Sequence, residues 1–143
     1  MGERTSLKKV IMDSTLLAQR GAYDQALKVI MEAIDGIGDT DSTDSVVVLF
    51  NHAAIISFGA GNLTAAESCI RTSVERFPNE PFLLYLMAEV LERKGEYAHA
   101  RLFSSRSLQE ALKCHSDRSE AISEIILHRW PDLGGGRGLT NPK

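Results

Sequence analysis

A short pattern recurs three times along this chain of 143 residues. It reads Gly21-Ala22-Tyr23-Asp24-Gln25-Ala26, then Gly61-Asn62-Leu63-Thr64-Ala65-Ala66, then Gly95-Glu96-Tyr97-Ala98-His99-Ala100. Each copy has a glycine, a large residue two places on and an alanine five places on. Gly61 and Gly95 are 34 residues apart, and Gly21 and Gly61 are 40 apart, which is 34 plus an insertion of six. A fixed period of this length constrains the fold more than any single residue does. Each unit is too small to bury its own apolar face, so the units must stack. The glycine supplies the turn, because it tolerates φ > 0 at the end of a helix. The alanine lets two helices approach closely, and the large residue before it closes the bottom of a helical hairpin.

This pattern resembles the tetratricopeptide repeat (TPR), a helix–turn–helix unit, over roughly residues 7–114. The remaining family places follow on this sequence. Eleven residues before the glycine stand Val10, Phe50 and Leu84, and four before it stand Leu17, Ser57 and Leu91. Nine after it stand Ile30, Ile70 and Ser104, and twelve after it the small Ala33, Ser73 and Ser107. The proline expected seventeen after the glycine is Pro78 in the middle unit, with Gly38 and Leu112 in its place in the outer two. The first unit departs from the pattern at Asp13-Ser14, where an apolar–small pair is expected. The resemblance implies an all-α fold, a right-handed superhelical solenoid of antiparallel helix hairpins.

About seven helices are expected, near 5–20, 23–35, 44–58, 63–76, 81–94, 97–113 and 116–129. Asn62 or Thr64 suits the cap of the fourth, and Pro81 the first position of the fifth. Ser116 to Glu120 gives a capping start for the seventh, whose stripe is Ala121-Ile122, Ile125-Ile126 and Arg129. It reads as a capping helix over the last repeat. The organisation expected is a single TPR-like domain over 1–132, with repeats at about 7–40, 47–80 and 81–114, a capping helix at 116–130, and a flexible tail over 133–143.

Composition excludes several classes. The net charge of −3, from 16 basic and 19 acidic residues, argues against a surface built to grip nucleic acid. The first 45 residues hold the excess, with eight acids against five bases. Asp13 cuts the early apolar run Val10-Ile11-Met12 too short for a signal peptide. No apolar run reaches the length of a membrane span. A cytoplasmic protein without membrane insertion is expected. Cys69 and Cys114 lack metal-ligand spacing, and Cys69 reads as a small core residue.

The apparent chemical motifs fail on inspection. Gly134-Gly135-Gly136-Arg137-Gly138 lacks the strand, the Lys-Ser/Thr and the helix of a phosphate loop. The insertion from Asp35 to Asp44 carries Asp39 and Asp41 at calcium-loop spacing. It lacks the glycine at the sixth place and has Phe50 where a glutamate belongs, so it reads as a solvated capping loop. His52, His99, His115 and His128 form no helical metal pair. His115-Ser116-Asp117 is adjacency without triad geometry. No enzyme, no cofactor and no metal is expected.

What the resemblance implies instead is a partner site. In TPR proteins the first helices of the hairpins line a concave groove that holds a peptide or partner helix. Its places step by 3, 4 and 3. They fall on Lys8, Ile11, Thr15 and Ala18, then Val48, Asn51, Ile55 and Phe58, then Phe82, Tyr85, Glu89 and Glu92. The lysine–asparagine–arginine clamp with which some members hold acidic C-termini is absent except for Asn51. The groove has an apolar centre with acid at one end, which suits an apolar or amphipathic segment carrying a base. Val48 and Phe82 have an alternative role, packing against the preceding hairpin. The function expected is a non-enzymatic protein–protein interaction module or scaffold. The alternatives are a small secretion-type TPR chaperone for a client protein and a self-assembling structural unit, that is, a homo-oligomer.

Overall fold

Three glycines hold left-handed backbone: Gly21 at φ 82°, Gly61 at 73° and Gly95 at 84°. They are the three turn glycines of the repeat. In the computed structural model, which describes residues 6–37, 43–114 and 116–135, each is wired in the same way. The Gly21 amide donates to the Ala18 carbonyl at 2.9 Å and the Ala22 amide to Leu17 at 2.9 Å. Gly61 donates to Phe58 at 2.9 Å and Asn62 to Ser57 at 3.0 Å. Gly95 donates to Glu92 at 3.0 Å and Glu96 to Leu91 at 2.9 Å. These paired bonds form a Schellman motif, which satisfies the last carbonyls of one helix while it turns the chain into the next.

The described residues are helical, with no strand. The helices are α1 (Leu7–Gln19), α2 (Tyr23–Asp35), α3 (Thr43–Gly59), α4 (Leu63–Arg76), α5 (Pro81–Arg93), α6 (Tyr97–Lys113), α7 (Asp117–Arg129) and α8 (Pro131–Gly135). Packing divides the chain into two compact units, Met1–Ser73 and Val74–Lys143.

In the first unit α2 packs on both α1 and α3, and α1 also meets α3. The close-approach alanines Ala26 and Ala66 are fully buried, beside Ile30, Ile34 and Ile70. Helix α3 is apolar nearly all round, and Val46, Val47, Leu49, Phe50, Ala53, Ala54 and Ile56 are all buried. A helix of that kind belongs inside. Asn62 caps α4, its side-chain oxygen accepting from the Ala65 amide at 2.9 Å. Ser57 stands where the other repeats have Leu17 and Leu91. It is fully buried, and its hydroxyl has no hydrogen-bond partner among the described residues. A buried orphan hydroxyl of this kind costs stability.

In the second unit α5 and α6 form the tightest hairpin. Pro81 opens α5, and the Glu80 carboxylate accepts from the Phe82 amide at 3.1 Å. The buried Ser107 hydroxyl donates to the Pro81 carbonyl at 2.6 Å, which ties α6 to the start of α5. Ala100, the third close-approach alanine, is buried. Helix α7 packs on α5 and α6. Ser116 caps it, accepting from the Ser119 amide at 3.1 Å. Of its expected stripe, Ile122 and Ile126 are buried against Leu108. Ile125 is exposed, and so are Ala121 and Arg129.

Three details differ from expectation. There is an eighth helix, because Pro131 suits a first helical position and restarts the chain after Trp130. Gly134 and Gly135 therefore lie in α8, while residues 136–143 fall outside the described residues, as do 38–42 of the aspartate loop and His115. Tyr97, expected to close its hairpin, is 57% exposed. Tyr23 and Leu63 at the equivalent places are half-buried.

The turn assignment yields a paired test. A Cβ on Gly59 or on Gly61 would meet nothing within 4 Å, so only backbone geometry separates the two sites. Gly61→Ala is expected to lower unfolding stability by about 1–2 kcal/mol, because it forces a left-handed alanine. Gly59→Ala, at the last residue of α3 where no left-handed backbone is needed, is expected to leave it unchanged or raise it by up to about 0.5 kcal/mol. Urea unfolding of the two variants measures both, and equal effects would contradict the turn geometry.

Candidate functional site

In the first unit the candidate residues lie on α1 and α3, and one hydrogen bond sets their register. Thr15 Oγ1 lies 3.1 Å from His52 Nε2, which ties the two helices together. Burial lowers the His52 pKa from its ordinary value, and a hydrogen bond with the Ile11 backbone opposes that shift. The Ile11–Thr15 side of α1 therefore faces α3, and both residues are half-buried, as is Ala18. The open apolar surface of α1 falls one residue later, on Met12 at 54% and Leu16 at 49% exposure. These two are one turn apart on one flank. The expected α1 places Ile11, Thr15 and Ala18 are thus half-buried, beside the exposed Met12 and Leu16. On α3, Ile55 is 53% exposed, and Val48, Asn51 and Phe58 are half-buried around it. Lys8 is exposed at the start of α1.

In the second unit Phe82, Tyr85, Glu89 and Glu92 share one face of α5, all half-buried. The Phe82 and Tyr85 rings stack with centroids 6.1 Å apart. Both rings pack against the Leu108–Ile122–Ile126 cluster, so Phe82 sits under the following helices of its own unit. The Tyr85 hydroxyl donates to Glu89 at 2.9 Å. Burial, and then the charge of Glu89, raise the Tyr85 pKa well above its ordinary value. Glu89 also lies 3.8 Å from Arg93, and Glu92 is paired with Arg129 of α7. A cleft of about 230 Å³ opens here, lined by Tyr85, Ala88, Glu89, Ile125, Arg129 and Trp130 among others. Its walls are mainly apolar and its rim carries both signs of charge. The two glutamates were expected to await a base on a ligand, but arginines of the chain already meet them. Arg129 and Trp130 were not among the expected site residues. The pairing of Arg129 with Glu92 spans 37 residues of sequence and carries no local signal.

Ser116 is a helix cap rather than a nucleophile. Cys69 is partly buried, and its thiol is pushed up to about 11, far from a reactive thiolate. Among the described residues no cluster of three His, Cys, Asp or Glu side chains could hold a metal ion. No helix among them is long and apolar enough to cross a membrane.

No family model and no curated protein sequence matches the chain. Solved structures do. PcrH from Pseudomonas aeruginosa superposes with a TM-score of 0.69 at 16% identity, over 94% of this chain and 96% of that one. PcrH in complex with the chaperone binding region of PopB superposes with a TM-score of 0.64 at 18% identity, over 88% of this chain and 94% of that one. The chain thus has an all-helical, TPR-like repeat fold.

The burial of His52 makes the first unit sensitive to pH. The folded state favours neutral His52, so its stabilising contribution is full above the ordinary pKa of about 6.5. That contribution is lost as pH falls through the lowered folded value. Thermal melts are expected to show stability declining below about pH 6.5 in the parent and a flatter profile in His52→Gln. Identical slopes for the two proteins would remove His52 from the account.

Proposed function

We propose that this chain is a non-enzymatic binding module, a small chaperone-type TPR protein that holds a segment of a client protein. The observation that carries the reading is the open apolar face of α1 and α3. Met12, Leu16 and Ile55 are each about half exposed on first helices of the repeat. Large apolar residues left in water at helical spacing mark a surface that a partner covers. Support comes from the fold: the PcrH structure that this chain resembles holds the chaperone binding region of PopB. An apolar or amphipathic segment suits such a face, laid along it with anchors one helical turn apart. The Phe82–Tyr85–Glu89–Glu92 face of α5 is a second contact region, narrower because α7 already packs on it. The net charge of −3 speaks for a protein partner rather than nucleic acid. We place the protein in the cytoplasm, where a client would be held before export.

Self-association is the second reading. It is favoured by Leu102 on α6 and Leu112 near its end, 55% and 44% exposed. Sedimentation across concentration separates the two readings. A monomer at all concentrations excludes self-assembly.

Ile55→Glu tests the first reading, since a side chain already in solvent tolerates charge without unfolding. Co-purification of the client segment is expected to fall by about tenfold or more, while helical content is unchanged. Retention equal to the parent in both Ile55→Glu and Met12→Glu would sink the assignment of this face.

A further inference from the structure

Helix α7 is attached to its unit by a narrow stripe. Only Ser119, Ile122 and Ile126 are buried along it, and Ile125 is 47% exposed. That stripe lies over the aromatic pair of α5, since Phe82 and Tyr85 pack on the same cluster as Ile122 and Ile126. What fastens the far end of α7 is different in kind. The Arg129 guanidinium lies 4.5 Å from the Trp130 ring centroid and the Arg101 guanidinium 5.5 Å from it. Arg101 is paired with Asp132 through both nitrogens, and Arg129 with Glu92. Leu133 packs against the cluster, and Gly134 lies so close to α7 that a Cβ there would be 2.6 Å from Leu127. Helices α7 and α8 therefore meet in a tight corner with Trp130 at its apex. Three of the four charged side chains are open to solvent, Arg101 at 42%, Asp132 at 63% and Arg129 at 48%, and Glu92 is half-buried at 28%. Ion pairs and cation–π contacts this exposed are screened by salt and exchange easily with water.

We propose that α7 and α8 form a releasable cover over the Phe82–Glu92 face of α5, latched by Trp130 between Arg101 and Arg129 and by their carboxylates Asp132 and Glu92. Opening frees the Phe82–Tyr85 ring pair and the Glu92 carboxylate together, an apolar surface with an acid beside it. The role of the cover, regulating access for a client segment, rests on the binding reading above. The latch itself is testable without a client.

Trp130 is the only tryptophan of the chain, so its fluorescence reports the latch directly. Raising NaCl from about 0.1 to 1 M shortens the screening length from about 10 to 3 Å and should increase acrylamide quenching of Trp130 about twofold or more. Asp132→Asn should give the high quenching already at low salt. Amide exchange in α7 and α8 should accelerate on the order of tenfold while α5 and α6 stay protected. Emission of Nile red, an uncharged probe of apolar surface, should rise in parallel. Quenching and exchange unmoved by salt and by Asp132→Asn would overturn the proposal, and so would simultaneous acceleration in all helices of the unit. A client that binds while the latch proves rigid removes only the cover. A mobile latch without client binding removes only the functional reading.

Discussion

The fold depends on one backbone conformation repeated three times. A glycine in left-handed geometry ends each first helix, and two hydrogen bonds per turn satisfy the carbonyls that the helix leaves over. Everything downstream inherits its direction from that turn. It sends the second helix back along the first, and it places an alanine where the two must nearly touch. Ala26, Ala66 and Ala100 are all buried to within a percent or so of complete. The large aliphatic residues one turn beyond, Ile30 and Ile70, then fall into the core without further specification.

This dependence explains why so much of the fold was legible. Glycine–alanine spacing is a local signal, and the 34-residue step repeats it. The helix caps were legible for the same reason: Asn62, Pro81 and Ser116 each act within a few residues of themselves. What stayed hidden is what depends on distant partners. Thr15 of α1 meets His52 of α3, and the exposed large apolar residues of α1 are Met12 and Leu16 rather than Ile11. The partners of Glu92 and Asp132 lie 37 and 31 residues away, on arginines that look solvated in the sequence. Helix α8 was missed because a Trp-Pro step reads as a stop, and here it is a stop followed at once by a start.

The two units present different kinds of surface from equivalent helices. On α3 an isoleucine stands open with half-buried neighbours and a histidine that burial keeps neutral. On α5 the corresponding face holds two stacked rings and two paired carboxylates, covered in part by α7. The first unit thus leaves an isoleucine of α3 in solvent, whereas the second packs the rings of α5 under α7. Asn62 and Ser116 cap helices, Thr15 and His52 tie α1 to α3, and Arg101 pairs with Asp132 and Arg129 with Glu92 near the surface.

The measurement closest to the heart of this account is methyl NMR during titration with a client segment. The account predicts shifts concentrated at Met12, Leu16 and Ile55, with the Leu102 and Leu112 methyls on α6 unmoved. Shifts centred on α6, with the α1 and α3 methyls unchanged, would contradict it.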